Sequence, residues 1–431
     1  MCKKKSLVIL CAIMLCVWTL TGCGKTQTTQ KDGSPDNSKQ KEPEVTIAVT
    51  TNIVGEQAKV LEDIATRFMA DNPGIKVDFT APGKGYEDVL KVKMASNELP
   101  DVFSTHGWAK ARYGKYLADL KDEEWASNIT NSIKPIVTDE SGKVYVLPMD
   151  EDKTGIVYNV DILNEYGVEI PKTFDEFLAA CEQIKTKSGG KVIPVHIGGS
   201  DGWPEGQYYD FFATPALISP ETNYQKELLD GTFDWSKFDI LPEKFLEMWK
   251  KGYVNKDFLT SKYMDSVSAF AGGKAAFGFY GPYFIEEAKK TNPNIKGGMM
   301  PIPSMVDGDE PTFVGGEKTT WGVWKDSKNI DAAKKFVAYY AKPENIKLVA
   351  ESNRLPAGIK DIDVDCGEMT PFYKQYSDIR VFPYFDRVYL PSGMWDVICK
   401  NAQDLVAGGI TPQQFSQNMK KDYDRLRAQK Q

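Results

Sequence analysis

Apolar positions along this chain fall into two rhythms, and one stretch obeys neither. Leu7 to Leu20 is an uncharged apolar run between Lys3-Lys4-Lys5 and the small residues that lead to Cys23. From residue 45 the rhythms begin. Val45-Thr46-Ile47-Ala48-Val49 predicts a strand. Ala58, Leu61, Ile64, Ala65 and Phe68 recur at three- and four-residue steps and predict a helix, which Asn72-Pro73-Gly74 ends. Ile75-Lys76-Val77-Asp78-Phe79 predicts a second strand, Tyr86 to Ser96 a second helix, and Pro100-Asp101-Val102-Phe103 a third strand. Strands alternating with helices at this spacing imply parallel pairing and an α/β domain. Further on, Phe174 to Lys187 reads as a helix with a capping box, Thr173 at its N-cap and Glu176 three residues later. Lys191 to Val195 reads as a strand. Pro242–Lys251, Ile285–Lys290, Ala332–Ala341, Asp396–Ala407 and Pro412–Ala428 carry helical stripes, with Asn329 or Asp331 able to cap the third. No repeat at a solenoid period is visible.

The opening run is a signal rather than structure. A positive start, a short apolar stretch and small residues mark secretion. The run is too short for a membrane span, which takes about 20 apolar residues, so an uncleaved anchor is the weaker reading. Leu20-Thr21-Gly22-Cys23 resembles the lipobox of bacterial lipoproteins. There the cysteine sulfur receives a diacylglycerol and the signal, here residues 1–22, is cut away. Everything after Cys23 is then expected outside the cytoplasm, lipid-anchored to the outer face of the cell membrane. Residues 24–44 hold no aliphatic or aromatic side chain and read as a flexible tether. The remainder is too long for one ordinary core and predicts two domains. The net charge of −7 becomes more acidic once the signal lysines leave. That argues against nucleic acid as a partner, and confines membrane contact to the lipid. Of seven cysteines, Cys181, Cys366 and Cys399 remain beyond the signal and Cys23. Three scattered thiols make no disulfide framework; at most one pair could form, and buried free thiols are expected.

Several phrases, in order, then resemble one family. They are Leu99-Pro100-Asp101-Val102-Phe103, and Gly142 to Pro148 running into Gly155-Ile156-Val157-Tyr158-Asn159. Pro171 to Phe177, Phe270 to Phe277 with Gly281-Pro282-Tyr283, and Met300-Pro301-Ile302-Pro303 follow. Gly315-Gly316 ahead of Trp321-Gly322-Val323, and Leu355-Pro356-Ala357, complete the set. Their joint order resembles the family 1 extracellular solute-binding proteins, the receptor subunits of ATP-binding-cassette importers, to which maltose-binding protein belongs. The resemblance implies an α/β, two-lobed periplasmic-binding-protein fold of type II-like form, each lobe a mixed sheet flanked by helices. It places residues 45–148 with 304–354 in one lobe and 149–303 with 355–431 in the other. Crossovers are expected near Leu147–Asp150, Pro301–Met305 and Arg354–Gly358, where prolines suit stiff extended segments. It also implies a monomer, a permease partner, no cofactor, and a ligand held between the lobes by hinge closure.

A sugar offers flat C–H faces and a rim of hydroxyls, so its site wants aromatic platforms with carboxylates, amides or guanidinium groups beside them. Loop aromatics are the candidates. Trp395, after Leu390-Pro391-Ser392-Gly393-Met394, resembles the family's stacking tryptophan. Tyr283 sits where the family often has another platform, with Tyr280 its neighbour. Trp108 and His106 follow the third strand, where ligands gather in open α/β sheets. Trp203 lies on the Gly198–Pro204 stretch, and Trp321 follows Gly315-Gly316. Among polar groups, Asp152 falls where the resemblance implies a ligand-binding acid, with Asp150 two residues before it. Thr51 and Asn52 follow the first strand, and Arg354 stands near the third crossover.

Two rival readings come from the same residues. Asp150 and Asp152 would be the carboxylate pair of a secreted glycoside hydrolase, since residues i and i+2 of a strand share a face. No His-Glu-x-x-His or Walker loop accompanies them. A metal protein is disfavoured by only two histidines, His106 and His196, with no Cys/His spacing. Asp361-x-Asp363-x-Asp365 echoes a calcium loop but has Cys366 at the sixth position and Phe372 at the twelfth. The expectation is a non-enzymatic receptor for a carbohydrate, an oligosaccharide above all. A polyamine, peptide or other small solute is the alternative ligand.

Overall fold

The computed structural model describes residues 45–83 and 85–429. The signal, Cys23 and the tether lie outside the described residues.

The first lobe is built on a five-stranded sheet. Its order is Ile75–Thr80, Val45–Thr50, Val102–Phe103, Thr320–Val323 and Leu147–Pro148. The first three strands pair in parallel, with Val45 opposite Ile75 and Val49 opposite Val102. The two-residue periodicity that predicted them puts Ile47 and Val49 into the core at 0% and 1% exposure. The connecting helix Gly55–Asp71 turns Leu61, Ile64, Ala65 and Phe68 inward, four of the five residues whose spacing foretold it. Thr320–Val323 then enters antiparallel from far along the chain. Its helices Ile330–Tyr340 and Pro343–Asn353 pack on the same layer.

The second lobe holds a four-stranded mixed sheet in the order Gly297–Met300, Ile156–Asn159, Ala275–Gly278, Ile193–Val195. The helix Phe174–Lys187 begins with both hydrogen bonds of the predicted capping box. Ile240–Lys250, Tyr283–Thr291 and Met394–Val406 fall within two residues of their expected starts, and Pro412–Ala428 matches. Asn329 occupies the N-cap position of Ile330–Tyr340 but does not cap it with its side chain. Its amide instead donates to the Thr46 carbonyl oxygen.

Several helices were not foreseen, among them Val160–Tyr166, Tyr263–Ala271, Pro343–Asn353 and Pro204–Leu217. Pro204–Leu217 buries every residue except Gln207, so no polar face remains to give a period.

A three-stranded sheet links the lobes: Val381–Pro383, Phe313–Glu317 and Glu151–Thr154. Gly315 is required here. A Cβ at that position would lie 1.5 Å from the Asp152 carbonyl oxygen, so only glycine lets the two strands approach. The three remaining cysteines are free and buried. Among the described residues no helix is long and apolar enough to cross a membrane.

Candidate functional site

A cavity of about 1040 Å³ opens against the linking sheet. Alternation along Glu151–Thr154 decides which side chains reach it. Asp152 and Thr154 line this cavity, while Glu151 and Lys153 line a second one of about 780 Å³. The Thr154 hydroxyl donates to Asp152 Oδ1 at 2.8 Å, and the Tyr384 hydroxyl donates to Oδ2 at 3.0 Å. Asp152 is therefore fixed, with lone pairs left for a ligand.

The loop after Val102–Phe103 supplies His106, in the left-handed region at φ 47°, and Trp108. The Arg112 guanidinium lies 4.0 Å above the Trp108 ring. Glu87 orders this group by accepting from Arg112 Nη1 at 2.6 Å and from the Tyr113 hydroxyl at 2.7 Å. Burial pushes the Glu87 carboxyl upward, but hydrogen bonds from His106 and Tyr113 and the Arg112 charge hold it below its ordinary value.

Facing this loop is the short helix Phe385–Tyr389. The Arg387 guanidinium sits 4.4 Å from the Tyr384 ring centre and 5.5 Å from that of Trp108. The Asp386 backbone N–H donates to Asp210 Oδ1 at 2.8 Å. Burial, with the neighbouring Asp210 charge adding to it, pushes the Asp386 carboxyl up to about 7. Burial likewise raises Asp210 to about 6. Trp395 enters from the first turn of Met394–Val406. Its indole rests where Gly206 leaves room, because a Cβ there would come within 2.9 Å of the ring. At the far side stand Tyr283, 47% exposed, and Arg354, whose guanidinium pairs with Glu286 at 3.5 Å.

Six of the twelve candidates thus line one cavity: His106, Trp108, Asp152, Tyr283, Arg354 and Trp395. The other six do not. Trp321 is fully buried and packs edge-on to Phe79 and Tyr340, because strand Thr320–Val323 sits inside its sheet. Tyr280 is also fully buried, stacked 4.5 Å from Phe284. Asp150 is fully buried, accepting from the Thr319 N–H at 2.8 Å and from Asn353 Nδ2 at 2.7 Å. Its burial raises it to about 6 and removes the supposed pair with Asp152 from any shared face of the cleft. Thr51 is buried and accepts from the Ile53 N–H, while Asn52 accepts from the Ser104 hydroxyl. Both serve the turn after the first strand. Trp203 packs 5.1 Å from Tyr263, beside the buried Tyr280.

Sequence reasoning missed Arg387, Asp386, Tyr384, Asp210 and Arg112, all lining the cavity. One signal was available: Asp210 interrupts the apolar run Tyr208-Tyr209-Asp210-Phe211-Phe212, and a lone acid there needs a partner. Among the described residues no group of three or more His, Cys, Asp or Glu side chains could hold a metal ion. The Asp361–Asp365 stretch spends its carboxylates locally, Asp365 accepting from the Gly367 N–H and Asp363 facing Lys374.

The profile of the family described as bacterial extracellular solute-binding protein matches residues 53–347. A melibiose/raffinose/stachyose-binding protein, MelE, of Bacillus subtilis is 39% identical over 427 residues, covering 99% of this chain and 97% of its own. The crystal structure of a Bacillus subtilis binding protein in an open conformation superposes with a TM-score of 0.86 at 40% identity, over 90% of this chain and 98% of that one. A sugar transporter protein of Bacillus licheniformis in complex with stachyose gives a TM-score of 0.74 at 44% identity, over 89% and 100%.

Proposed function

The chain belongs to the bacterial extracellular solute-binding proteins, and on that premise we propose that it captures an oligosaccharide in the cleft against the linking sheet and delivers it to an ATP-binding-cassette permease. One observation carries the ligand class. Trp108, Trp395 and Tyr283 line a single cavity together with Asp152, Asp386 and Arg387. Aromatic rings offer stacking faces for sugar C–H groups, and the acids and guanidinium groups serve hydroxyls at their edges. The relative that binds melibiose, raffinose and stachyose supports the same class. A polycationic ligand fits less well, since Arg112, Lys318, Arg354 and Arg387 line the cavity among its acids.

In this reading the two lobes are residues 45–148 with 304–354 and residues 149–303 with 355–431. They close on ligand because only the closed form lets both contact it. The protein binds as a monomer and does not alter its ligand. Acylation of Cys23 and the 24–44 tether keep it beside the membrane that holds its permease.

Isothermal titration with melibiose, raffinose, stachyose, maltotriose and spermidine tests the ligand class. Heat with spermidine alone would overturn it. Mass spectrometry of the mature N-terminus tests the anchor: a diacylglycerol-modified Cys23 is expected, and a mature chain without that modification would rule lipidation out. Glycan products appearing on long incubation would overturn the non-catalytic role.

A further inference from the structure

The turn that carries His106 and Trp108 into the cleft is bent against its own preference. His106 and Gly107 both lie in the left-handed region, at φ 47° and 86°. The Trp108 N–H closes the turn by donating to the Thr105 carbonyl oxygen at 3.0 Å. A four-residue turn with positive φ at both central positions normally takes Asn, Asp or Gly there, and a histidine stores strain. Such strain persists only where the surroundings over-determine the backbone. Here they come from 208 to 215 residues further along the chain. Glu317 ends the linking strand Phe313–Glu317, and Thr320 begins the next strand of the first lobe. Glu317 Oε1 accepts from the Ala109 N–H at 3.1 Å and from the Thr105 hydroxyl at 3.4 Å. Thr320 Oγ1 accepts from the Thr105 N–H at 2.9 Å, and the two threonine hydroxyls lie 2.9 Å apart. Thr105 and Ala109, on either side of the bent stretch, are thus pinned to one short segment, and all four residues are buried. Glu317 Oε2 finds no hydrogen-bond donor among the described residues, an arrangement that costs stability. Packing alone would favour an apolar side chain in that place.

We propose that Glu317 and Thr320 are positioning residues for ligand capture: they hold the Thr105–Ala109 turn in its left-handed form and so fix the Trp108 ring in the cleft. This rests on the oligosaccharide reading and deepens it. Neither residue lines the cavity, so both act through Trp108 and not on the ligand. Because Glu317 belongs to the linking strand, the ring is fastened to the segment that joins the lobes and does not move with its own loop. Released from these bonds, the turn would relax toward commoner backbone angles. The ring would then sample positions in which it meets no sugar face. Its ordering would have to occur on binding, which lowers affinity.

The test is a double-mutant cycle on the full mature chain, read by titration calorimetry with melibiose, raffinose, stachyose and maltotriose. For each sugar that binds, Glu317→Ala and Thr320→Val should each weaken binding by about tenfold. In a Trp108→Ala background neither should weaken it further. Glu317→Gln keeps an acceptor for the Ala109 N–H and should bind within about threefold of the parent. Without ligand, the fluorescence that Trp108→Phe removes should be more readily quenched by acrylamide in Glu317→Ala and Thr320→Val than in the parent. Melting curves establish that each variant folds, and Thr320→Val, which keeps the branched shape of the side chain, carries the test if Glu317→Ala does not. Losses that add in full to that of Trp108→Ala would overturn the proposal, because a residue that merely stabilises its lobe acts independently of the ring. Parental affinity in a folded Thr320→Val or in Trp108→Ala would overturn it too, as would unchanged quenching. If the parent binds none of the four sugars, the oligosaccharide reading falls, and this inference with it. If it binds and the cycle is additive, only this inference falls.

Discussion

At the scale of single residues, the site depends on groups that hold other groups. Trp395→Ala should weaken oligosaccharide binding by about 1–3 kcal/mol, the worth of a buried aromatic contact; unchanged affinity by calorimetry would remove it from the site. Gly206 does not line the cavity, yet Gly206→Ala should also reduce affinity. Its methyl would crowd the Trp395 ring at 2.9 Å and Cys399 Sγ at 2.8 Å. A shifted tryptophan fluorescence spectrum accompanying the loss would tie the effect to the indole. Asp386 adds a pH dependence. Its carboxyl titrates near 7 when folded against an ordinary 3.8, so the folded state holds a proton that the unfolded chain has released. Its contribution to stability is full below about pH 4 and declines until about pH 7. Asp386→Asn should therefore gain in melting temperature relative to the parent as pH rises across that window. A constant difference between the two proteins would contradict the assignment.

At the scale of elements, amphipathicity decided what could be read. Gly55–Asp71 and Phe174–Lys187 each show one apolar face and one polar face, so spacing announces them. The capping box of the latter is local chemistry, visible without any tertiary contact. Thr173→Ala should lower stability by about 1 kcal/mol in denaturant titrations, and no change would mean the cap is redundant. Pro204–Leu217 is buried on all sides and carries Pro215 within it. Neither period nor composition marks it as a helix, though Asp210 and Gln207 on it reach the cleft. Glu151–Thr154 shows the opposite limit. Four polar residues in a row look like a charged loop. The pairing of Gly315 and Gly316 with Lys153 and Asp152 makes them a strand with two different faces.

For the whole molecule, the cleft exists only because distant segments meet. Asp152 and Tyr384 are 232 residues apart, and their hydrogen bond joins the linking strand to the edge of the second lobe. A ligand that engages both lobes binds only the folded chain. At one hundred times its dissociation constant it should stabilise the protein by about 2.7 kcal/mol, read as a rise in melting temperature. A sugar that binds by calorimetry yet leaves the melting temperature unmoved would show that it does not depend on the assembled cleft.

The chain's own pattern determined the α/β alternation, the order of the first strands, the capped helices and the family phrases, because each rests on neighbours within a few residues. Trp108 was legible because it follows a strand that the pattern marks, whereas Trp395 and Asp152 were reached through the phrases that carry the family resemblance. Only the tertiary structure decided that Trp321, Tyr280 and Asp150 belong to the interior. Burial is set by what a strand or loop is packed against, and equal residue types give no sign of it. The tertiary structure alone also brought Arg387, Asp386 and Asp210 together, since a charge becomes part of a site through partners far along the chain. The opening run and Cys23 stand apart from both. They carry the expectation of where the protein works, and the cleft carries the proposal of what it takes there.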